Sequence, residues 1–548
     1  MSRNTSRAAT GLVAAAALIA AVTLVSRIVG FGRTVALGQT LGNSCLGSAY
    51  ASANAVPNLV FEVVVGGALA GAVVPLLAGA VTRGDKETVT ATTRALTGWV
   101  LLLLVPAAII CAVFAEPIVG LVLGSGAGCD ESQLHEVASS MLRVFAIQIP
   151  IYGLTVVTQG TLNAHRRFLS PALAPLLSSL VVIGAYLAYA NDAGAEQGSL
   201  TALSSTGFAL LAWGTTLGVL VLLVTQVPAL GRLRLLALWP KLRFPQGVGA
   251  RARRLAAAGF ATVSAQWVAF VVLLRLANQH AEAGASLIVT LMWTVFLLPW
   301  AVLAYPIATS TFPQLSSQFE QGEEEEFAAT TAQTLRAVVV AGALGTAGVA
   351  ATAGPVSDLM LAGAPGADAT GVLAAALVAI SAGVFGYAVL NQAARVFFAR
   401  HRGSDASWLV AGGWFMAVVL ATVTATSSDR ADVLPWLAAS VSVGLLIAAI
   451  ASLVQVRRIV GRRAVVGLGR SLVGVLVAVV IATALGTAVA DLLSNWWQDA
   501  NSGWQLALLD AVLTSAVVVA SFGGTMLVLD GDDLRALLAR LRHRERAN

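Results

Sequence analysis

The sequence predicts an all-α membrane protein of 14 transmembrane helices, and three observations carry that prediction. Of 548 residues, 57% are hydrophobic and 11% charged, against about 25% charged in an average soluble domain. Apolar runs of about 20 residues, enough to cross roughly 30 Å of hydrocarbon, recur along the whole chain. Basic residues gather in every second loop between those runs. This composition excludes a soluble multidomain enzyme, a disordered chain and, despite a net charge of +6, a nucleic-acid binder.

The spans fall near 11–38, 48–81, 94–123, 134–162, 171–190, 203–227, 254–276, 285–313, 330–352, 370–394, 407–426, 434–455, 469–491 and 505–529. The first two are long enough to tilt, kink or break. Arg3 and Arg7 precede the first run as in a signal peptide, but the run is too long and lacks a small-residue cleavage site, so an uncleaved span is expected. The N-terminus and the loops after even-numbered spans hold most of the 33 Lys and Arg. Arg275 and Arg430 stand nearly alone in the opposite loops. That asymmetry predicts both termini on the cytoplasmic side. The acidic run Glu323–Glu326 reads as a solvated cytoplasmic loop. Beyond residue 530, Leu534, Leu537, Leu538 and Leu541 repeat at helical spacing among arginines, which predicts an amphipathic helix on the anionic inner leaflet. Cys45 and Cys129 fall in loops on the outer side, where oxidising conditions permit a disulfide; whether they meet is left open.

Local matches suggest an internal repeat. Val25-Ser26 recurs as Val263-Ser264, and Pro75-Leu76-Leu77 as Pro313-Gln314-Leu315, both 238 residues on. Gly153–Arg167 resembles Gly386–Arg400 at an offset of 233, aligning Gln159 with Gln392. A six-span unit repeated in parallel implies two lobes related by a pseudo-two-fold along the membrane normal, an arrangement suited to alternating access. The expected organisation is an N-lobe at 1–228, a basic cytoplasmic linker at 229–253, a C-lobe at 254–456, two further spans at 457–530 and the tail at 531–548.

Ionisable groups inside spans are costly and therefore functional candidates. Arg27 and Arg33 lie in or near the first span, about 120° apart on a helix. Each reads either as an anion ligand or as a structural or interfacial charge. Asn58 and Glu62 share one face of the second span, after Pro57. Glu62 reads as a partner of Arg27 or as a site for a coupling cation or proton. Pro57, Gly66, Gly67 and Pro299 are candidate hinges. Arg143 lies in the fourth span. Gln159 and Gln392 read as helix–helix hydrogen bonds or ligands, and Trp293 and Trp300 as packing, interfacial belt or cavity lining. No nucleophile–base pair, metal-ligand spacing or phosphate loop is present, so neither an enzyme nor a cofactor is expected.

At this point the motifs resemble the MurJ/MviN family of bacterial lipid II flippases. The resemblance rests on Thr23–Arg33 (TLVSRIVGFGR), Val56–Leu59 with Gly66–Leu69, Met141–Arg143, Leu162–Phe168 with Ser170–Pro175, Leu298-Pro299 with Phe312–Leu315, and Arg395–Arg400. These blocks run in family order. The resemblance implies the multidrug/oligosaccharidyl-lipid/polysaccharide exporter fold, with a groove for the lipid tail at spans 13 and 14. It implies a flippase carrying undecaprenyl-pyrophosphate-linked precursor (lipid II) from the inner to the outer leaflet of the cytoplasmic membrane. Membrane lipids and cell-wall synthesis or division proteins are the implied partners. Ser26, Arg27, Arg33 and Asn58 match positions important in that family. Ser48, Phe61, Glu62, Gly66, Thr294 and Leu297 depart from it and leave the expected cavity less cationic. The remaining readings are a flippase for another lipid-linked glycan, a drug or ion antiporter on the same fold, and a non-transporting scaffold for cell-wall enzymes.

Overall fold

The computed structural model describes residues 2–63, 70–124, 128–233, 235, 240–245, 248–497 and 504–529. Every regular element among them is helical, as hydrocarbon requires of a backbone that cannot bond to water. Twelve helical stretches among the described residues are long and apolar enough to cross a membrane. They occupy twelve of the expected spans. The expected second span divides into two shorter helices, and the expected seventh lies within a long helix, Val248–His280. The candidate hinges Gly66 and Gly67, and the amphipathic tail with Leu534, Leu537, Leu538 and Leu541, lie outside the described residues.

The chain forms two compact units, Met1–Val271 and Val272–Asn548. In the first, helices run α1 (Ser2–Leu41), α2 (Cys45–Glu62), α3 (Ala70–Thr82), α4 (Lys86–Val113), α5 (Ala115–Leu123), α6 (Glu131–Phe145), α7 (Gln148–Ala164), α8 (Leu169–Ala193), α9 (Ser205–Val224) and α10 (Val227–Arg232). Helix α11 (Val248–His280) carries the boundary. The second unit has α12 (Ala285–Pro299), a π-helical turn (Trp300–Ala304), α13 (Tyr305–Glu320), α14 (Glu324–Ala351), α15 (Ala353–Leu361), α16 (Thr370–Ala399), α17 (Gly403–Ser427), α18 (Val433–Ile459), α19 (Leu468–Trp497) and α20 (Trp504–Leu529). The first unit thus extends beyond the expected lobe end at residue 228. A reason is visible in the linker: the Lys241 amide donates to the Arg94 carbonyl at 3.1 Å, and the Trp99 indole donates to the Leu242 carbonyl at 2.9 Å. These bonds tie the linker to α4.

Helix starts follow local chemistry. Ser44, Asp85, Asp130 and Ser204 each accept a backbone N–H three residues on, the N-cap geometry that satisfies an orphan donor. Hydrogen bonds to the ionised form hold the Asp85 and Asp130 carboxyls below the usual range. Beside Asp130, Cys129 is disulfide-bonded to Cys45. The pairing left open by the sequence therefore joins the start of α2 to the segment before α6.

Small residues let helices approach closely, the main packing device where lipid is as apolar as the side chains. On α18, a Cβ added to Gly444 would meet the Ala417 backbone nitrogen at 2.6 Å. On α16, one added to Gly386 would meet the Leu445 backbone at 2.8 Å. Large aromatic side chains fill the space beside these contacts, and Trp414 is almost completely buried.

The two units repeat one turn closely. After α7, the Arg167 amide bonds the Leu162 carbonyl and Arg166 bonds Asn163, with Arg166 at φ 57°. After α16, Arg402 bonds Phe397 and His401 bonds Phe398, with His401 at φ 57°. Both are Schellman turns with a non-glycine left-handed residue. Their offset is 235 residues, not 233, because the turn geometry rather than the Gly–Gln match sets the register. Gln159 is therefore not the counterpart of Gln392. Gln159 is exposed, whereas Gln392 is buried and donates to Thr334 Oγ1 at 3.0 Å.

Overpacking a close helix contact costs about 1–3 kcal/mol. Gly444→Val is therefore expected to lower thermal stability by that amount in detergent. Gly412→Val, where nothing lies within 4 Å of an added Cβ, is expected to leave the melting temperature nearly unchanged. A differential scanning fluorimetry series checks this.

Candidate functional site

The expected site residues of the first unit are brought together in part, around tyrosines that the sequence reading did not single out. Helix α1 meets α8, with Gly30 within 4.0 Å of Ser179 when a Cβ is added. Thr34, Leu37 and Leu41 are buried. Ser26 is half-buried and lies one turn before Gly30 on the same face. Arg27 and Arg33 are both exposed. They diverge as their spacing predicts.

Arg33 lies within electrostatic reach of the Tyr50, Tyr152 and Tyr186 hydroxyls. Tyr50, on α2, is at 2.7 Å from the Tyr186 hydroxyl and 2.8 Å from Thr215 Oγ1. Tyr152, on α7, donates to Asn58 Oδ1 at 3.3 Å and stacks on Phe61 with centroids 4.3 Å apart. Glu62 is within electrostatic reach of the same Tyr152 hydroxyl. Nearby on the α7 start, Gln148 is fully buried and donates to Thr216 at 3.0 Å. The result is a polar neighbourhood of hydroxyls, two amides, one carboxyl and one guanidinium, contributed by α1, α2, α7, α8 and α9. Tyrosines in apolar spans look like packing. The missed signal is that a buried tyrosine hydroxyl needs a partner, and three such residues demand a polar network.

Other candidates fall elsewhere. Arg27 has no hydrogen bond or ion pair among the described residues, so the Arg27–Glu62 pair does not form there. Arg143 is exposed on the last turn of α6, before the helix break at Ala146-Ile147. Pro57 is buried within α2, which continues through it to Glu62. Pro299 ends α12, and the next five residues form the π-helical turn. Trp293 is 4% exposed and packs against Phe296 and Trp414, which makes it core rather than belt.

The acidic run at the start of α14 is not simply solvated. Glu324 takes both Arg400 Nη atoms, at 3.0 and 2.9 Å. The Arg400 guanidinium also sits over the Phe319 and Phe327 rings. Glu325 pairs with Arg463, and Arg336 donates to the Val466 carbonyl at 2.8 Å. These contacts tie α14 to the turn after α16 and the segment before α19. Charges separated by 76 and 138 residues cannot be paired by sequence spacing alone.

Among known proteins, the family described as lipid II flippase MurJ matches residues 37–509. The chain is 26% identical over 204 residues to a probable lipid II flippase MurJ of Buchnera aphidicola subsp. Schizaphis graminum, covering 37% of each chain. It is 29% identical over 199 residues to a probable lipid II flippase MurJ of Synechocystis sp., covering 34% of this chain and 35% of the relative. These matches span little more than a third of the curated relatives' length. A solved structure described as lipid II flippase MurJ in an inward closed conformation is similar with TM-score 0.67 and 16% identity, over 93% of this chain and 98% of that one. An inward-facing multidrug transporter of the MATE family is similar with TM-score 0.65 and 15% identity, over 81% and 99%.

Removing the Tyr50 hydroxyl takes away two buried hydrogen bonds. Tyr50→Phe is expected to destabilise the chain by about 1–2 kcal/mol, read as a lowered unfolding temperature. Arg27→Ala is expected to change it little.

Proposed function

We propose, since this chain belongs to the lipid II flippase MurJ family, that it carries lipid-linked peptidoglycan precursor from the inner to the outer leaflet by alternating access. It is a multi-pass inner-membrane transporter rather than an enzyme. The physical task is to pass a charged headgroup through hydrocarbon while the prenyl tail remains in lipid.

One observation carries the site assignment: Arg33 lies in the first span, within electrostatic reach of three buried tyrosine hydroxyls, with no carboxylate ion pair among the described residues. A guanidinium within a span is costly against lipid, and an anionic cargo offsets that cost. Arg33 binds the diphosphate through charge-assisted hydrogen bonds. The Tyr152 hydroxyl and Asn58 amide supply further polar contacts. Arg33 therefore takes precedence over Arg27, for which no such hydroxyl cluster is found among the described residues. Arg143 and Gln159 stand as outer contacts. Glu62 opposes an anion at this position, and a proton or cation on its carboxyl relieves the repulsion and couples transport to a gradient. The chain carries no nucleotide-binding motif, and the drive in this reading is an ion gradient, the membrane potential or substrate supply. Pro57 and Pro299 are the bending points. Cell-wall synthesis or division proteins receive the cargo outside.

Both termini are cytoplasmic in this reading. The loop arginines support it, and so does the Cys45–Cys129 disulfide, which persists on an oxidising face.

In a flippase-depleted bacterium, Arg33→Ala is expected to reduce outer-leaflet lipid II at least tenfold at normal protein level, the equivalent of about 1.4 kcal/mol. Arg33→Lys is expected to restore part, and Arg27→Ala to lose less than Arg33→Ala. Full export by Arg33→Ala removes the assignment. For the orientation, a membrane-impermeant reductant followed by an impermeant maleimide is expected to label Cys45 and Cys129 in intact cells. Labelling only after the cells are permeabilised would reverse the topology.

A further inference from the structure

Arg395 directly follows the expected span 370–394, and the structure continues the helix through it, placing it on α16 one turn before that helix ends. It is partly buried, and its guanidinium lies 5.5 Å from the centroid of the Tyr305 ring. Among the described residues it has no carboxylate ion pair. Tyr305 begins α13 directly after the π-helical turn, a feature frequent at functional sites. The Trp300 ring packs against Tyr305 and Tyr387, each at 5.1 Å. Trp300 also rests on the buried Ala304–Val338–Ala388 cluster, which anchors the turn to α14 and α16 and sets Tyr305 beside Arg395.

The face of α13 below Tyr305 is unlike a lipid-facing helix. Ser310, Gln314 and Ser317 are exposed together with Pro306 and Pro313, while Ala308, Leu315 and Gln318 are buried. Helix α17, by contrast, exposes Trp408, Phe415, Val419 and Val423. A polar exposed face within an apolar stretch, Ala285–Glu320, fits water or a polar cargo and is costly against lipid tails.

We propose that Arg395, steadied by Tyr305 and Trp300, forms an anion-binding subsite in the second unit for a phosphate group of the cargo, reached along the polar face of α13. This rests on the carrier reading above. The guanidinium fork matches a phosphate in two-point geometry, the Tyr305 ring holds the fork in place by a cation–π contact, and the exposed hydroxyls and amide of α13 solvate the anion on its way.

The experiment uses the full chain in phosphatidylcholine nanodiscs, with Cys111→Ser and Gln314→Cys, and farnesyl diphosphate as probe. The rate of maleimide labelling at position 314 is the readout, on variants that remain monodisperse. Farnesyl diphosphate is expected to slow labelling at least fivefold. That protection is expected to persist with Arg33→Ala, to vanish with Arg395→Ala and to return in part with Arg395→Lys. Should Arg395→Ala fail to fold, Arg395→Gln and Tyr305→Ala take its place. Protection unaffected by any change at Arg395 overturns the subsite alone. Protection lost when phosphatidylglycerol replaces phosphatidylcholine assigns the anion to bilayer lipid and also overturns it. A parent chain that binds neither farnesyl diphosphate nor lipid II, measured by calorimetry, removes the carrier reading itself and the subsite with it.

Discussion

Hydrocarbon offers a peptide group no hydrogen-bond partner, and this constraint underlies everything else in the molecule. It forces the backbone into helices and leaves packing to van der Waals contact. Hence α16, α17 and α18 meet through Gly386, Gly413 and Gly444, where neighbouring backbone or side-chain atoms occupy the place of a Cβ. Each departure from regular helix is local and tied to an identifiable residue. Pro299 precedes the π-helical turn, and Phe114, Ala146-Ile147 and Thr352 separate consecutive helices of single stretches.

The same constraint makes every polar side chain inside a span conspicuous. Most are resolved by pairing within the helix bundle, as with Gln148 on Thr216 and Gln392 on Thr334. Arg33 and Arg395 are not resolved by carboxylates among the described residues. Each instead faces tyrosine, Arg33 at electrostatic range of a hydroxyl network and Arg395 over a ring. A cation with no direct carboxylate partner keeps its charge available for an anion, although Glu62 is within electrostatic reach of the Tyr152 hydroxyl that Arg33 also reaches. Elsewhere acids do pair with arginines: Glu324 and Glu325 neutralise Arg400 and Arg463 at helix ends. There the ion pairs fasten loops, and exposed pairs of this kind contribute little beyond that.

Sequence patterning revealed some levels of this organisation and hid others. Arg33, Asn58 and Glu62 were legible because charge and amide groups stand out against an apolar run. Tyr50, Tyr152 and Tyr186 were not, since a tyrosine in a span has the hydropathy of packing. Gln159 and Gln392 were aligned through a short motif, and the turns after α7 and α16 shift that alignment by two residues. On a helix, two residues turn a side chain by about 200°, so a buried bond and an exposed amide become false counterparts. Arg395 was read as a loop residue because apolar-run boundaries are blurred by several positions, about one helical turn.

Taken alone, the sequence determined the class, the order of the spans and the side of the membrane each loop is expected to face. These follow from length, hydropathy and charge, which are properties of single segments. Only the tertiary structure decided which segments share a site: that Arg33 approaches three tyrosines, that Cys45 reaches Cys129 across 84 residues, and that Glu324 finds Arg400. Such pairings depend on helix rotation and tilt. Those angles are fixed by close packing at a handful of small residues, and hydropathy carries no record of them.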